Sequence, residues 1–147
     1  MEYRSLGRSG LKVSPVCLGT MMFGDRTDEA EAARIVDSAR EAGVNFVDTA
    51  DVYDFGVSEE ILGRALRGHR AEVVLATKFH NAMGPDVNDR GNSRRVSAQA
   101  ARRRQRHCGV RLHPCVRRRV RHRRSCRSRC VRSGYELLDQ SCAHADS

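Results

Sequence analysis

An acid, a phenol and an amine follow closely on two short apolar runs of the chain. Asp48 comes directly after the run 44–47, Tyr53 lies a few residues further on, and Lys78 comes directly after the run 73–77. Runs of this length and composition predict β-strands, and their spacing is that of a βαβ unit with parallel neighbouring strands. Because parallel neighbours end side by side, we expect the three side chains to meet at one edge of a sheet.

These three residue types suit proton transfer to an oxygen atom. A free phenol, with a pKa of about 10, is a poor acid at neutral pH. A nearby ammonium group favours the phenolate and makes the phenol a better proton donor, and a carboxylate can hold that ammonium in place. We therefore predict that Tyr53 protonates an oxygen that gains charge when a carbonyl is reduced, supported by Lys78 and Asp48.

Several blocks of the sequence resemble the aldo-keto reductase family, and they follow one another in the family's order. The blocks are residues 3–14, 18–24, 48–53, 56–66 and 76–79. The resemblance identifies residues 1–95 as a truncated aldo-keto reductase barrel. It implies an α/β fold, the N-terminal portion of a (β/α)8 barrel of about three βα units.

The same resemblance carries expectations about activity and cofactor. It implies that NADPH reduces a small aldehyde or ketone to an alcohol, with Asp48, Tyr53 and Lys78 as catalytic residues. It also implies that the nicotinamide lies against Gly19, Thr20, Met21 and Asp48. Family members complete the catalytic group with a histidine at the end of the fourth barrel strand, and this sequence departs from the pattern there. His80 follows Lys78 too closely to come from that strand.

The segments between these motifs contain residues that typically begin or end α-helices. Residues 28–42 predict an amphipathic helix, which Asp28 caps and Gly43 ends in a left-handed turn. Ser58 is the expected start of a second helix, and Ser93 is the expected start of a third.

Three polar residues near the predicted site receive structural interpretations. Asp51 and Asp54 lie in a polar loop, so we expect them to be solvated. Cys17 lies beside the first barrel strand and is expected in its core. None of the three is assigned a role in the chemistry.

The length of the chain limits what it can form. It has 147 residues, whereas an eight-stranded barrel takes about 250, so we expect this chain to be inactive by itself. No apolar stretch is long enough for a transmembrane helix, and the amino terminus lacks the apolar middle of a secretory signal. We therefore expect a cytoplasmic protein with no membrane partner, and we infer no specific protein partner.

The character of the chain changes after Arg95. Residues 96–147 hold 14 arginines and no lysine against three acidic residues, a net charge of +11, whereas residues 1–95 carry a net charge of −2. Five of the six cysteines also lie in residues 96–147. Because this arginine-rich tail is poor in apolar residues, we predict that it has low order.

Several interpretations of the tail compete. We favour translation in a shifted reading frame, because arginine-rich, lysine-free sequence is typical of a GC-rich gene read out of frame. The alternative is a small basic interaction protein whose tail binds nucleic acid, although Tyr135 is its only aromatic residue for base stacking. A complementing fragment that docks with a separately encoded barrel remainder is a further possibility. We assign no metal, because only Cys126 and Cys130 have zinc-like spacing.

Overall fold

The structure, a computed structural model, describes residues 1–107 and one later strand, residues 135–138. A small antiparallel hairpin opens the chain, formed by β1 (Arg4–Ser5) and β2 (Lys12–Val13). Three repeats of a strand and a helix follow: β3 (Leu18–Gly19) with α1 (Glu29–Glu41), β4 (Phe46–Ala50) with α2 (Val57–Ala65), and β5 (Val74–Lys78) with α3 (Arg94–His107). Short 3₁₀ turns lie at Tyr53–Gly56 and Arg70–Glu72, and the later strand is β6 (Tyr135–Leu138).

Strands β3, β4 and β5 lie side by side in that order and are parallel. The register places Asp48 opposite both Gly19 and Ala76, and it places Ala50 opposite Lys78. The prediction of about three βα units is therefore confirmed. β6 pairs with the other edge of β5 but runs antiparallel to it, whereas a further βα unit of a barrel would add a parallel strand.

Helices α1 and α2 cover one face of this sheet. The core between them and the strands consists of Phe23, Ala32, Val36, Val47, Ile61, Leu62, Leu66, Val73 and Leu75. Because side chains alternate between the two faces of a strand, Asp48 and Lys78 lie on the opposite face. Cys17 lies two residues before Gly19 and so shares its face of the sheet. Cys17 is exposed, so the prediction that it lies in the core is wrong.

Helix α1 begins and ends at the predicted residues. The Asp28 carboxylate accepts a hydrogen bond of 2.8 Å from the main-chain N–H of Glu31, which satisfies a donor of the first turn. Gly43 follows the helix with a φ of +85°, a left-handed conformation that glycine adopts without steric cost.

Helix α2 begins one residue earlier than predicted, at Val57. Ser58 does not cap it. Instead, the buried Ser58 hydroxyl donates a hydrogen bond of 2.7 Å to the main-chain oxygen of Thr20. The side chain that we expected to begin the helix therefore connects α2 to the end of β3.

Helix α3 crosses the predicted domain boundary at Arg95. Ser93 begins it as predicted, since its hydroxyl accepts a hydrogen bond of 3.2 Å from the N–H of Val96. Val96 and Ala100 form a small apolar cluster with Phe79, so α3 packs against the end of β5. Residues 96–107, which belong to the segment with predicted low order, are therefore helical in the structure. The rest of the predicted tail lies outside the described residues, apart from the backbone of β6.

Two further observations concern only the described residues. No helix among them is long and apolar enough to cross a membrane. No three of their His, Cys, Asp or Glu side chains are grouped so that they could hold a metal ion. Cys126 and Cys130 lie outside this part of the chain.

Asp28→Ala should destabilise the fold by about 1 kcal/mol, because the first turn of α1 loses its side-chain acceptor. Asp25→Ala is the matched control, since it removes the same charge from an exposed turn. Thermal unfolding followed by circular dichroism should show a lower Tm for Asp28→Ala alone. Equal Tm values for the two variants would contradict the role of the cap.

Candidate active site

Asp48 and Lys78 meet on the face of the sheet that α1 and α2 leave uncovered. Lys78 Nζ forms a hydrogen-bonded ion pair with Asp48 Oδ2, and it donates a second hydrogen bond, of 3.0 Å, to the main-chain oxygen of Thr49. The register explains the ion pair. Asp48 and Ala50 point to the same face, and Ala50 lies opposite Lys78, so the lysine side chain reaches the acid diagonally.

Tyr53 lies beside this ion pair, in the turn that follows β4. Lys78 Nζ is 5.0 Å from the centroid of the Tyr53 ring. Burial lowers the pKa of Lys78, but the hydrogen bonds and charges of Asp48 and Tyr53 outweigh burial, so the pKa is raised overall. The structure thus brings together the three side chains that we expected at one sheet edge, while their catalytic roles stay predictions.

The backbone after Tyr53 is strained. Asp54 and Phe55 have φ values of +44° and +50°, in a left-handed region that non-glycine residues rarely adopt. The strained turn packs closely on Gly24, where an added Cβ would lie 2.7 Å from Asp54 Oδ2 and 2.8 Å from Val57 Cγ1. Such strain persists where the surroundings fix the conformation. Because Gly24 has no side chain, the turn that contains Tyr53 can pack against it without a steric clash.

The residues predicted to line a nicotinamide site differ in exposure. Beside Gly19, no atom of the described residues other than its chain neighbours lies within 4 Å of the position that a Cβ would occupy, and Met21 is 55% exposed. Thr20 is fully buried, and its Oγ1 lies 3.0 Å from Ser58 Oγ and 3.3 Å from the main-chain oxygen of Asp48. Gly19 therefore borders open space at the end of β3, whereas the buried Thr20 connects that end to β4 and α2.

The two histidines that lie beyond β5 in the described chain have partners elsewhere. His80 is exposed, and its Nδ1 lies 3.1 Å from Asn92 Oδ1 in the loop before α3. His107 Nε2 lies 3.4 Å from Glu60 Oε1 of α2. Neither of these contacts joins a histidine to the Asp48–Lys78 ion pair.

A group of buried charges lies next to the site, and the sequence interpretation missed it. Arg104 has no exposed surface, and its Nε donates a hydrogen bond of 3.2 Å to Glu59 Oε1. The same carboxylate oxygen accepts a hydrogen bond of 2.7 Å from the Thr77 hydroxyl. Asp51 is only 4% exposed, so the prediction of a solvated acid is wrong for Asp51, while Asp54 is exposed as predicted.

One sequence signal could have indicated this group. Val96, Ala100 and Arg104 recur at intervals of four residues, which places them on one face of a helix. We assigned the arginine to a solvated tail, because charged residues are rarely buried without a partner. Its partner Glu59 lies 45 residues earlier in the chain, beyond the reach of local patterns.

The environment of Asp51 changes its protonation. Burial raises its pKa from 3.8 to about 6, and Arg104 opposes this change while Glu59 adds to it. The unfolded chain releases this proton near its ordinary pKa, so between about pH 4 and about pH 6 the folded state binds more protons than the unfolded state. The contribution of Asp51 to stability is therefore greatest at low pH and declines as the pH rises through this window.

Asp51→Asn should stabilise the fold at about pH 7.5 and leave it little changed at about pH 4, because the amide cannot ionise. A pKa raised from 3.8 to about 6 corresponds to about 3 kcal/mol at the higher pH. Urea unfolding at both pH values measures the difference from the wild type, with Asp54→Asn in the exposed turn as the control. If Asp51→Asn and the wild type differed by the same free energy of unfolding at both pH values, the raised pKa of Asp51 would be contradicted.

Sequence relatives of this chain include oxidoreductases. The family model "Aldo/keto reductase family" matches residues 15–111. The uncharacterized oxidoreductase YrpG of Bacillus subtilis (strain 168) is 49% identical over 102 residues, which are 65% of this chain and 31% of that protein. The versiconal hemiacetal acetate reductase of Aspergillus parasiticus is 42% identical over 101 residues, which are 63% of this chain and 28% of that protein.

The fold is also shared with solved reductases. The holo form of an aldo-keto reductase from Bacillus halodurans matches with a TM-score of 0.64 at 36% identity, over 74% of this chain and 37% of that one. The chain spans about a third of the length of the curated relatives it matches. Its βα units are the N-terminal portion of a (β/α)8 barrel, and the chain belongs to the aldo-keto reductase family.

Proposed function

We propose that this chain is part of an NADPH-dependent aldo-keto reductase in which Tyr53 donates a proton to the carbonyl oxygen of a small aldehyde or ketone. The observation that carries the proposal is the position of Lys78, which contacts Asp48 and the Tyr53 ring at the ends of neighbouring parallel strands. Family membership supports oxidoreductase chemistry in general. The choice of NADPH over NADH rests on the resemblance alone.

The proposed roles follow from the charges at the site. When a carbonyl is reduced, negative charge develops on its oxygen, and a proton donor beside that oxygen lowers the barrier. The Lys78 ammonium stabilises the phenolate that Tyr53 becomes after it gives up its proton. Asp48 holds the ammonium near the ring, and the raised pKa of Lys78 keeps it charged at neutral pH.

Three residues could hold the nicotinamide, which would supply the hydride when bound. Gly19 leaves open space at the end of β3, and any side chain at that position would fill it. Met21 is exposed in the following loop, and Asp48 is partly exposed on the neighbouring strand. Thr20 would act indirectly, through its hydrogen bond to the main chain of Asp48.

We further propose that the 147-residue chain does not catalyse this reaction alone. Groups that act in catalysis must be held within about 0.5 Å of their working positions. The described residues supply three parallel strands of an eight-stranded fold, and β6 runs antiparallel at the edge of β5. A shifted reading frame in the tail or docking with a separately encoded remainder would each account for such a chain. The family match, however, continues to residue 111, past the predicted frame change at residue 95.

Two predictions lie outside what the structure describes. Nucleic-acid binding would rest on tail residues beyond His107, whose side chains are not among the described ones. The cytoplasmic location also stays a prediction.

The purified chain should not oxidise NADPH above background in the presence of a simple aldehyde, because the described residues supply three of the eight parallel strands of a barrel. The loss of NADPH absorbance measures this, and Tyr53→Phe is the matched variant because it removes only the hydroxyl. Oxidation that Tyr53→Phe abolishes would show that the chain is active alone and would support Tyr53 as the acid. Aldehyde-dependent oxidation that survives in Tyr53→Phe would overturn the role of Tyr53.

A further inference from the structure

Arg104 contacts Lys78, the last residue of β5, and Phe79, which follows it. Its Nε donates to the Glu59 oxygen that also accepts the hydroxyl hydrogen of Thr77. Its Nη2 donates a hydrogen bond of 3.0 Å to the main-chain oxygen of Lys78. Its guanidinium carbon lies 5.3 Å from the centroid of the Phe79 ring. Arg104 has the largest fully buried side chain among the described residues, so these contacts are shielded from water.

The Lys78 main chain is the point at which several elements are joined. Its oxygen also accepts a hydrogen bond of 3.1 Å from the N–H of Asp51. This single oxygen therefore connects the end of β5 to the loop after β4 and to α3. The Lys78 side chain leaves from the same residue to reach Asp48, so the position of Nζ depends on how firmly this main chain is held.

We propose that Arg104 is a positioning residue for Lys78, and that α3 is therefore part of the framework of the site. An arginine suits this role because its planar group presents several N–H donors in fixed directions. It can bond the Glu59 carboxylate and the Lys78 oxygen at the same time. The inference rests on the proposed function of Lys78, and it extends the site into residues that the sequence assigned to the tail.

Arg104 could also have a simpler role that requires only its positive charge. A buried carboxylate without a partner is unfavourable, so Arg104 could serve only to neutralise Glu59. That role needs a positive charge near Glu59 and nothing more. The positioning role needs the hydrogen bond to the Lys78 oxygen as well, so the two roles predict different results when the charge is kept and the planar group is removed.

Two variants of the full chain separate these roles. Arg104→Lys keeps a positive charge beside Glu59, but the compact ammonium lacks the planar, fixed set of donors that the guanidinium presents to Glu59 and to the Lys78 oxygen. Arg104→Met combined with Glu59→Gln removes both charges of this ion pair, so that neither is left without the other. Arg102→Met is the matched control, because Arg102 lies on the same helix and is exposed. Asp48→Asn shows the effect of removing the acid that pairs with Lys78.

The readout is the titration of Lys78 followed by NMR. The chain has two lysines, Lys12 and Lys78, so ¹³C-lysine labelling gives one signal from the site and one internal reference. This measurement needs neither cofactor nor turnover. It therefore tests the positioning role even if the NADPH assay overturns the reductase proposal.

We expect the titration midpoint of Lys78 to fall by about half a pH unit or more in both Arg104 variants, because Nζ then spends less time beside Asp48. Asp48→Asn should change it in the same direction. The Lys12 signal should not move in any variant, and Arg102→Met should leave Lys78 unchanged. An unchanged Lys78 midpoint in a folded Arg104 variant would overturn the proposal and leave charge neutralisation as the role of Arg104.

Discussion

The parallel register of β4 and β5 is the constraint on which the rest of this structure depends. It places Ala50 opposite Lys78, so that an acid on one strand and an amine on the other lie on the same face of the sheet. Helices α1 and α2 bury the other face around Val47 and Leu75. A slip of one residue in either strand would turn its charged side chain into this core. The register that buries the core is therefore also the register that brings Asp48 and Lys78 together.

Two features outside the sheet complete the arrangement around that ion pair. The strained turn after Tyr53 packs against Gly24 and brings the phenol beside Lys78. The buried pair of Glu59 and Arg104 connects α2, α3 and the end of β5. Either charge without the other would be unfavourable in this buried environment, so the ion pair favours the packing of α3 beside α2.

Local rules predicted much of the first 80 residues, including the strands that carry Asp48 and Lys78 and the ends of α1. They failed where a partner distant in sequence decides the outcome. Ser58 has a good helix-starting side chain, but a tertiary hydrogen bond to Thr20 uses it instead. The pKa of the buried Asp51 is influenced by Arg104, which belongs to a segment whose charge is typical of a solvated tail. Because that segment is rich in arginine, its composition gave no indication that the buried face of α3 continues into it.

Whether this chain supplies the proton donor of a reductase is tested most directly by a chimera. In it, residues 1–107 replace the matching segment of the aldo-keto reductase from Bacillus halodurans, which restores the remaining barrel strands. We predict NADPH-dependent reduction of an aldehyde by the chimera, and a loss of turnover of about 10²–10⁴-fold in its Tyr53→Phe variant. A folded chimera whose turnover does not change when the Tyr53 hydroxyl is removed would contradict the proposed role of Tyr53.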